Sequence, residues 1–312
     1  MFIKSIIYSV LACLIWGLIF LIPYLLEGIN TFDIVLGRYF CYGTLSLALL
    51  LYSVVVSRQR QVFKYWKQAF LCALVMNFLY FISLVMGMRL SSPSVIALLV
   101  GISPLVIVAI SGRKQQSMMR YFVPALVIVL GLNLVNIQTF LLESEALTFW
   151  EYVQGIAFGL VALVAWAWYV IFNSNFLAKN REVNPWQWTT LIGVATLCLT
   201  IVGMAVRVFT MDPDYMEELL FTSDMGIKFL VGSIILGVLC SWIAYALWNS
   251  ASAKLSAALS GQIAILETVF GILFVYGFEQ VFPTYLEIIG IICILLGVWR
   301  GLYISQSKAY TS

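Results

Sequence analysis

Along this chain the polar positions are the exception, and they fall at intervals. Between them run ten mainly apolar stretches, at about 5 to 26, 33 to 56, 66 to 88, 92 to 112, 119 to 139, 153 to 175, 186 to 208, 227 to 250, 254 to 276 and 283 to 304. Each is near the 20 residues with which a helix crosses about 30 Å of hydrocarbon. The pattern therefore predicts an all-α integral membrane protein with ten transmembrane helices, and nothing else is long enough to be a separate domain. The first stretch outruns the short apolar core of a cleavable signal and continues into "IFLIPYLLEG", so it is expected to stay as the first span.

Composition agrees: 63% of the 312 residues are hydrophobic and 10% are charged, against roughly a quarter charged in soluble domains. The charges also have a direction. Placing both termini on one side puts 13 of the 17 Lys and Arg there, among them Lys4, Arg58, Arg60, Lys64, Lys67, Arg113, Lys114 and Arg300. Twelve of the 14 acids lie on the other side. By the positive-inside rule both termini are expected in the cytoplasm, in a multi-pass protein of the inner membrane. The net charge of +3 then reflects topology, and no nucleic-acid partner is expected, because the basic residues sit in short membrane-face loops. The six cysteines all fall within spans at no metal-ligand spacing, and read as small apolar filler; no metal and no cofactor are expected.

Internal matches relate the two halves. "SVLACLIWGLIF" (9 to 20) aligns with "GLVALVAWAWYV" (159 to 170), pairing Trp16 with Trp166. "YFISLVMGMRLS" (80 to 91) aligns with "YALWNSASAKLS" (245 to 256), pairing Tyr80 with Tyr245. In the fifth and tenth stretches Pro124 and Gly131 correspond to Pro283 and Gly290. Residues 1–140 and 141–312 thus read as two five-helix repeats of one membrane domain, inverted because five is odd. That construction is common in secondary transporters, with the substrate site between the repeats near mid-membrane.

The chain also resembles a known family. "ACLIWGLIFLIP", "SSPSVIALLVGISPLVIVAI" and "FEQVFPTYLEIIGIICILLGVW" are similar to the drug/metabolite transporter superfamily, EamA type. Within it, "AWAWYVIFNSNFL", "NPWQWTTLIGVAT" and "SWIAYALWNSASAKLSAALSGQIAILETVFGILF" resemble the YddG aromatic amino acid exporter subgroup. The resemblance covers nearly the whole chain. It implies ten spans in two inverted repeats and export of small amphipathic metabolites, such as aromatic or other apolar amino acids or amines. Where common EamA proteins carry Glu-Pro in the ninth span, this chain has Glu267-Thr268.

Glu267 is the one acid placed near mid-membrane, where a carboxylate costs of order 2.5 to 3.5 kcal/mol on insertion scales and should face a cavity or partner. Two readings stay open: a protonated structural carboxyl, or a cavity acid that meets a substrate ammonium or a coupling proton. Helical spacing sets polar and aromatic residues on shared stripes: Asn77 and Tyr80 on the third span, Trp166, Tyr169 and Asn173 on the sixth, and Ser241, Trp242, Tyr245 and Asn249 on the eighth. From these stripes Asn77, Tyr80, Trp166, Tyr169, Trp242, Tyr245 and Asn249, with Trp16 on the first span and Gln262 and Glu267 on the ninth, form the candidate substrate-binding set. Arg38, near Glu27 and Asp33, reads as a structural ion pair at the outer rim in preference to a substrate clamp. Trp150, Trp186 and Trp188 read as interface anchors.

Other classes fare worse. The absence of histidine removes His-based zinc sites and Ser-His or Cys-His pairs, so no enzyme is expected, and rings of repeated polar residues that would suggest a channel are lacking. The expected partners are a small-molecule substrate and the lipid bilayer. The direction of transport, import or exchange included, the oligomeric state and the coupling ion stay open. The charge asymmetry makes a direct prediction: in intact cells an impermeant thiol reagent reaches Ser144→Cys and misses Gln59→Cys and Gln115→Cys. Labelling at residue 59 from outside would overturn the ten-span, termini-inside topology.

Overall fold

The structure is a computed structural model of the chain, describing residues 2–56, 61–91, 93–111, 118–142, 148–221 and 223–309. The charged loop residues Arg58, Arg60, Arg113 and Lys114, and the labelling positions 59, 115 and 144, lie outside the described residues. Everything described is helix, turn or short connection, without a strand.

The helices are α1 (Phe2–Leu21), α2 (Thr31–Val55), α3 (Phe63–Leu90), α4 (Pro93–Gly101), α5 (Ser103–Ser111), α6 (Met118–Leu142), α7 (Phe149–Lys179), α8 (Pro185–Thr210), α9 (Pro213–Phe221), α10 (Asp224–Ser252), α11 (Ala257–Ala264), α12 (Leu266–Glu279) and α13 (Tyr285–Ala309). Among the described residues nine helical segments are long and apolar enough to cross a membrane, α11 and α12 together making one of them, and Val95–Ser111 is a shorter apolar helical stretch. The ten apolar stretches of the sequence thus appear as nine such segments and this shorter one.

Local chemistry sets the ends. Asn30 caps α2 by accepting from the Phe32 amide at 2.9 Å, and Asn184 caps α8 in the same way, with Pro185 at its first position. Thr148 and Glu151 form a reciprocal capping box on α7. Gln280, in the left-handed conformation at φ 56°, ends α12. Such caps matter here because hydrocarbon offers no partner to an orphan backbone group.

Besides the 3₁₀ stretches Leu18–Leu21, closing α1, and Gln61–Tyr65, at the start of α3, four irregularities form two similar pairs. Ala73–Tyr80 in α3 and Ile235–Ile243 in α10 are π-helical. The ladder is broken at Ile102, between α4 and α5, and at Ile265, between α11 and α12. π-Helical stretches and mid-helix breaks concentrate at functional sites because they re-aim side chains and backbone groups.

The packing has the same reciprocity. α3 lies on α7 as α1 lies on α10; α4 and α5 lie on α7 as α11 and α12 lie on α1; α8 meets α3 as α2 meets α10; and α2 pairs with α8, and α6 with α13. The α6–α13 pairing depends on glycine. A Cβ on Gly131 would stand 2.6 Å from the Gly290 carbonyl oxygen, and one on Gly290 2.5 Å from that of Gly131. Gly131→Ala is therefore expected to force the two helices apart and cost about 1 to 3 kcal/mol. Gly277, where an added Cβ would meet nothing within 4 Å, is the control: Gly277→Ala should leave the melting temperature of the detergent-solubilised protein unchanged or raise it, whereas Gly131→Ala lowers it by several degrees. Equal effects would mean that the close approach does not hold the pair.

Candidate functional site

Midway along the bundle the two π-helical stretches turn polar groups toward each other. In α10 the Ser241 hydroxyl donates to the Leu236 carbonyl five residues back, at 2.9 Å, and the Cys240 carbonyl accepts from the Trp16 indole N–H of α1 at 2.9 Å. Arg38 of α2 completes this corner: its Nε donates to Ser241 Oγ at 2.8 Å and its Nη2 to the Cys240 carbonyl at 3.4 Å. Gly237 lets α2 come this close, since a Cβ there would lie 2.6 Å from the Arg38 carbonyl oxygen. In α3, Asn77 donates to Thr196 Oγ1 of α8 at 2.7 Å and accepts from the Tyr245 hydroxyl at 3.5 Å.

Aromatic rings wall this region. Trp16 stands edge-on to Tyr245 with centroids 5.4 Å apart, and Tyr80 lies 5.8 Å from Trp166, which lies 6.2 Å from Tyr169. Glu267 enters from α12, in its first turn just past the break at Ile265. Its carboxylate stands within electrostatic reach of Arg38, Tyr80 and Tyr245, yet among the described residues it forms no ion pair and no hydrogen bond. The segment that carries it, Ala257–Glu279, is the most enclosed of the nine, with 56% of its apolar window buried. Glu267 itself is half-buried.

Toward the chain termini the site is shut. Tyr42, Met76, Asn77, Tyr169, Ile192, Tyr245 and Asn249 converge without room for a water molecule. Below them Asn173 donates to Asn249 Oδ1 at 2.8 Å, Asn249 to Thr189 Oγ1 at 2.8 Å, and the Trp188 indole to Asn173 Oδ1 at 2.9 Å. Tyr42 adds a 2.7 Å bond to the Thr189 carbonyl. This network sits within about 10 Å of the helix ends at the terminal side, at about 1.5 Å per residue, and it ties α7, α8 and α10 together. At the opposite end the equivalent faces lack such a network: α7 packs on α10 and α11, and α8 on α10, while α1 with α3 and α4 makes at most marginal contact among the described residues, and α2 meets α3 through rings, Tyr39 stacked on Phe78 at 6.5 Å and the Arg89 guanidinium 5.1 Å from the Phe32 ring.

Most of the residues expected from the sequence therefore gather here: Trp16, Asn77, Tyr80, Trp166, Tyr169, Tyr245, Asn249 and Glu267. Two point elsewhere. Trp242 donates to Thr190 Oγ1 at 3.2 Å and packs 5.3 Å from Trp186, on the α8 side. Gln262 donates to the Tyr121 carbonyl of α6 at 2.9 Å and binds that helix. Arg38 corrects the rim reading, because Asp33 is held by Arg207, with Nε–Oδ1 at 2.7 Å and Nη2–Oδ2 at 2.8 Å. Trp188 corrects the anchor reading: it is 1% exposed, inside the network, whereas Trp150 is 71% exposed. Tyr42 and Thr189 were not among the expected residues; only their place on α2 and α8 opposite the polar stripes brings them in.

A second hollow, of about 680 Å³, lies between α3, α5 and α7 and is lined by Trp168, Phe172 and Phe176, with Lys179 at its terminal end. It opens away from the site toward the bundle surface.

The Asn173–Asn249–Thr189 chain is fully buried, so cutting it leaves stranded polar groups at about 1 to 3 kcal/mol each. Asn249→Ala is expected to lower the melting temperature markedly. Asn133→Ala, which removes only a bond to its own helix at Val129, should change it little. Similar shifts for the two would show that the network holds nothing together.

No protein-family model matches the chain. It is 27% identical, over 99% of its length and 98% of the relative's, to the inner membrane protein YtfF of Escherichia coli (strain K12). Over 28% of its length, and 53% of the relative's, it is 33% identical to an uncharacterized transporter of Haemophilus influenzae (strain ATCC 51907 / DSM 11121 / KW20 / Rd). A solved crystal structure shares its fold, with a TM-score of 0.74 over 97% of this chain and 98% of that one at 17% identity. Together with the apolar helices, these likenesses make the chain a multi-pass membrane protein.

Proposed function

We propose that this protein is a secondary transporter of the drug/metabolite transporter type that exports small amphipathic metabolites, aromatic or other apolar amino acids or amines, across the inner membrane by alternating access. The observation that carries this reading is the one-sided closure of a charged, aromatic-walled site halfway along the bundle. A site held shut toward the terminal side by a hydrogen-bonded network, and bounded on the other by ring contacts alone, fits one state of an alternating-access cycle. The same reading takes residues 1–140 and 141–312 as two inverted five-helix halves of a ten-span bundle; the π-helical stretches of α3 and α10, the breaks at Ile102 and Ile265 and the reciprocal packing support it. Exchanging the open and closed contacts between the halves would move the opening to the other face. Both termini lie in the cytoplasm in this reading, from the Lys and Arg asymmetry, so the state described opens outward. The names of the relatives, an inner membrane protein and a transporter, agree with it, and no enzymatic step is assigned.

Aromatic faces suit an apolar side chain or a cation, and Glu267 suits an ammonium or a proton. The test is flux. Cells overproducing the protein should tolerate toxic analogues of apolar amino acids better and release the parent compounds; greater sensitivity with faster uptake would favour import through the same fold. In proteoliposomes, Glu267→Gln keeps volume but not charge, and should leave the folded protein intact while reducing flux at least tenfold. Wild-type flux with unchanged dependence on an imposed pH gradient in that variant would remove Glu267 from the mechanism.

A further inference from the structure

Arg38 is the only cation that the described structure places beside the mid-membrane site, and its surroundings are those of a docking group. Of the five guanidinium N–H groups, the Nε–H is spent on Ser241 and one on Nη2 faces the Cys240 carbonyl, which leaves the rest of the fork without a partner among the described residues. Among these residues no carboxylate oxygen lies within 4.0 Å of it. The acid nearest in sequence, Asp33, is already bound at both oxygens by Arg207. The Tyr39 ring lies 5.5 Å from the guanidinium carbon, and the side chain is half-buried.

Across the site Glu267 is in the mirror condition, half-buried and, among the described residues, without a Lys or Arg nitrogen within 4.0 Å. Along the helices Arg38 lies about 10 Å, and Glu267 about 18 Å, from the helix ends opposite the termini, at about 1.5 Å per residue. Two opposite charges that act on each other without touching are expensive to keep in a membrane interior. A protein needing only neutral packing there would close them into an ion pair or omit them. The two charges stand on different walls of this region, Arg38 on α2 and Glu267 on α12, and the Trp16 indole shares the Cys240 carbonyl with Arg38 and packs against Tyr245.

We propose that Arg38 and Glu267 are the two poles of a zwitterion site, Arg38 taking the α-carboxylate of an amino acid and Glu267 its α-ammonium, with the apolar side chain among Trp16, Tyr80 and Trp166. This rests on the transport reading above and narrows its substrate class from amphipathic metabolites to amino acids with both charges free. The π-helical stretch of α10 has a defined part in it. Ser241 and the Cys240 carbonyl hold the inner edge of the guanidinium, so the outer edge is aimed before substrate arrives, and a planar fork preset in this way suits a carboxylate better than an ammonium-ended side chain would.

The experiment is direct binding to the purified wild-type protein by isothermal titration, using each proteinogenic amino acid with its methyl ester, its N-acetyl derivative and its decarboxylated amine, alongside proteoliposome flux of the same compounds. At least one apolar amino acid should bind ten times or more tightly than its ester and its N-acetyl form. Arg38→Gln, which can still donate to Ser241, should weaken the amino acid at least tenfold and leave the ester unchanged; Glu267→Gln should weaken the amino acid and the amine and leave the N-acetyl form unchanged. Equal affinity of acid and ester in the wild type, or an equal loss of both in Arg38→Gln, would make Arg38 a structural residue and overturn the proposal. Binding and flux of amines without any amino acid would overturn it while leaving the transport reading in place. No flux of any compound would remove the transport reading itself, and the proposal with it. The wild-type comparison of acid and ester needs no variant, so it decides the matter even if Arg38→Gln fails to fold; Arg38→Lys then serves as the second substitution, expected to weaken only the free acid because charge remains and the fork is lost.

Discussion

One backbone carbonyl, that of Cys240, joins the parts of this protein that matter for a solute. It accepts from the indole of Trp16 on α1 and faces a guanidinium N–H of Arg38 on α2, so three helices meet at a single oxygen. In water such bonds would be exchangeable for solvent and worth little net. In a bundle surrounded by hydrocarbon they are not, because an unmet donor there has no substitute partner. The π-helical turn of α10 makes the meeting geometrically possible by bringing Cys240 and Ser241 around to the same side. From it follow the orientation of Trp16 and Arg38, and through Trp16 the edge-on packing against Tyr245 that forms part of the wall.

The same economy of polar groups explains why closure is on one side. The amides of Asn173 and Asn249, the hydroxyl of Thr189 and the indole of Trp188 satisfy one another in a fully buried chain. Such a chain is costly to leave half-broken. Nothing comparable joins α1 to α3 or α2 to α3 among the described residues. There the described contacts between α2 and α3 are the Tyr39–Phe78 stack and the Arg89 guanidinium over the Phe32 ring, which satisfy no buried hydrogen-bond chain and part at lower cost.

Much of this was legible in the sequence because the bilayer is a stringent solvent. Span length, loop charge and the cost of a mid-span acid are each set by hydrocarbon, and they pointed to the apolar helices and to Glu267 directly. The stripe of α7 also holds, since Trp166 and Tyr169 gather as a 3.6-residue period places them; Asn77 and Tyr80 reach the same region although both lie in the π-helical stretch Ala73–Tyr80. The period fails where the helix changes. Trp242 lies inside the π-helical stretch Ile235–Ile243, which takes more than 3.6 residues per turn, so its phase relative to Tyr245 and Asn249 is shifted and it turns to Thr190. Gln262 and Glu267 are separated by the break at Ile265 and part for the same reason. Arg38 could not be placed from its neighbours in sequence, because the residue that claims Asp33 is 174 positions away, and no local pattern announces Arg207.

The break at Ile265 bears on why the acid is where it is. Here the ladder is interrupted without the proline that common EamA proteins carry after the glutamate; Thr268 follows Glu267, its amide bonds back to Ile265 at 3.1 Å, and the Cys13 thiol lies 3.4 Å from the Ile263 carbonyl oxygen. The interruption makes Glu267 a first-turn residue of α12, where the helix dipole favours a negative charge by about 0.3 to 1 kcal/mol at exposed sites and up to about 2 in partly buried ones. Set against an insertion penalty of about 2.5 to 3.5 kcal/mol for an acid at mid-helix, the dipole offsets only part of the cost. The remainder has to come from a cation, and the only one that the described structure places near the carboxylate, Arg38, is held out of ion-pair distance by Ser241 and Cys240. The break places the acid, and the hydrogen bonds of α10 hold its nearest counter-charge among the described residues; under the proposal above, the arrangement is completed by a positive group that arrives with the solute.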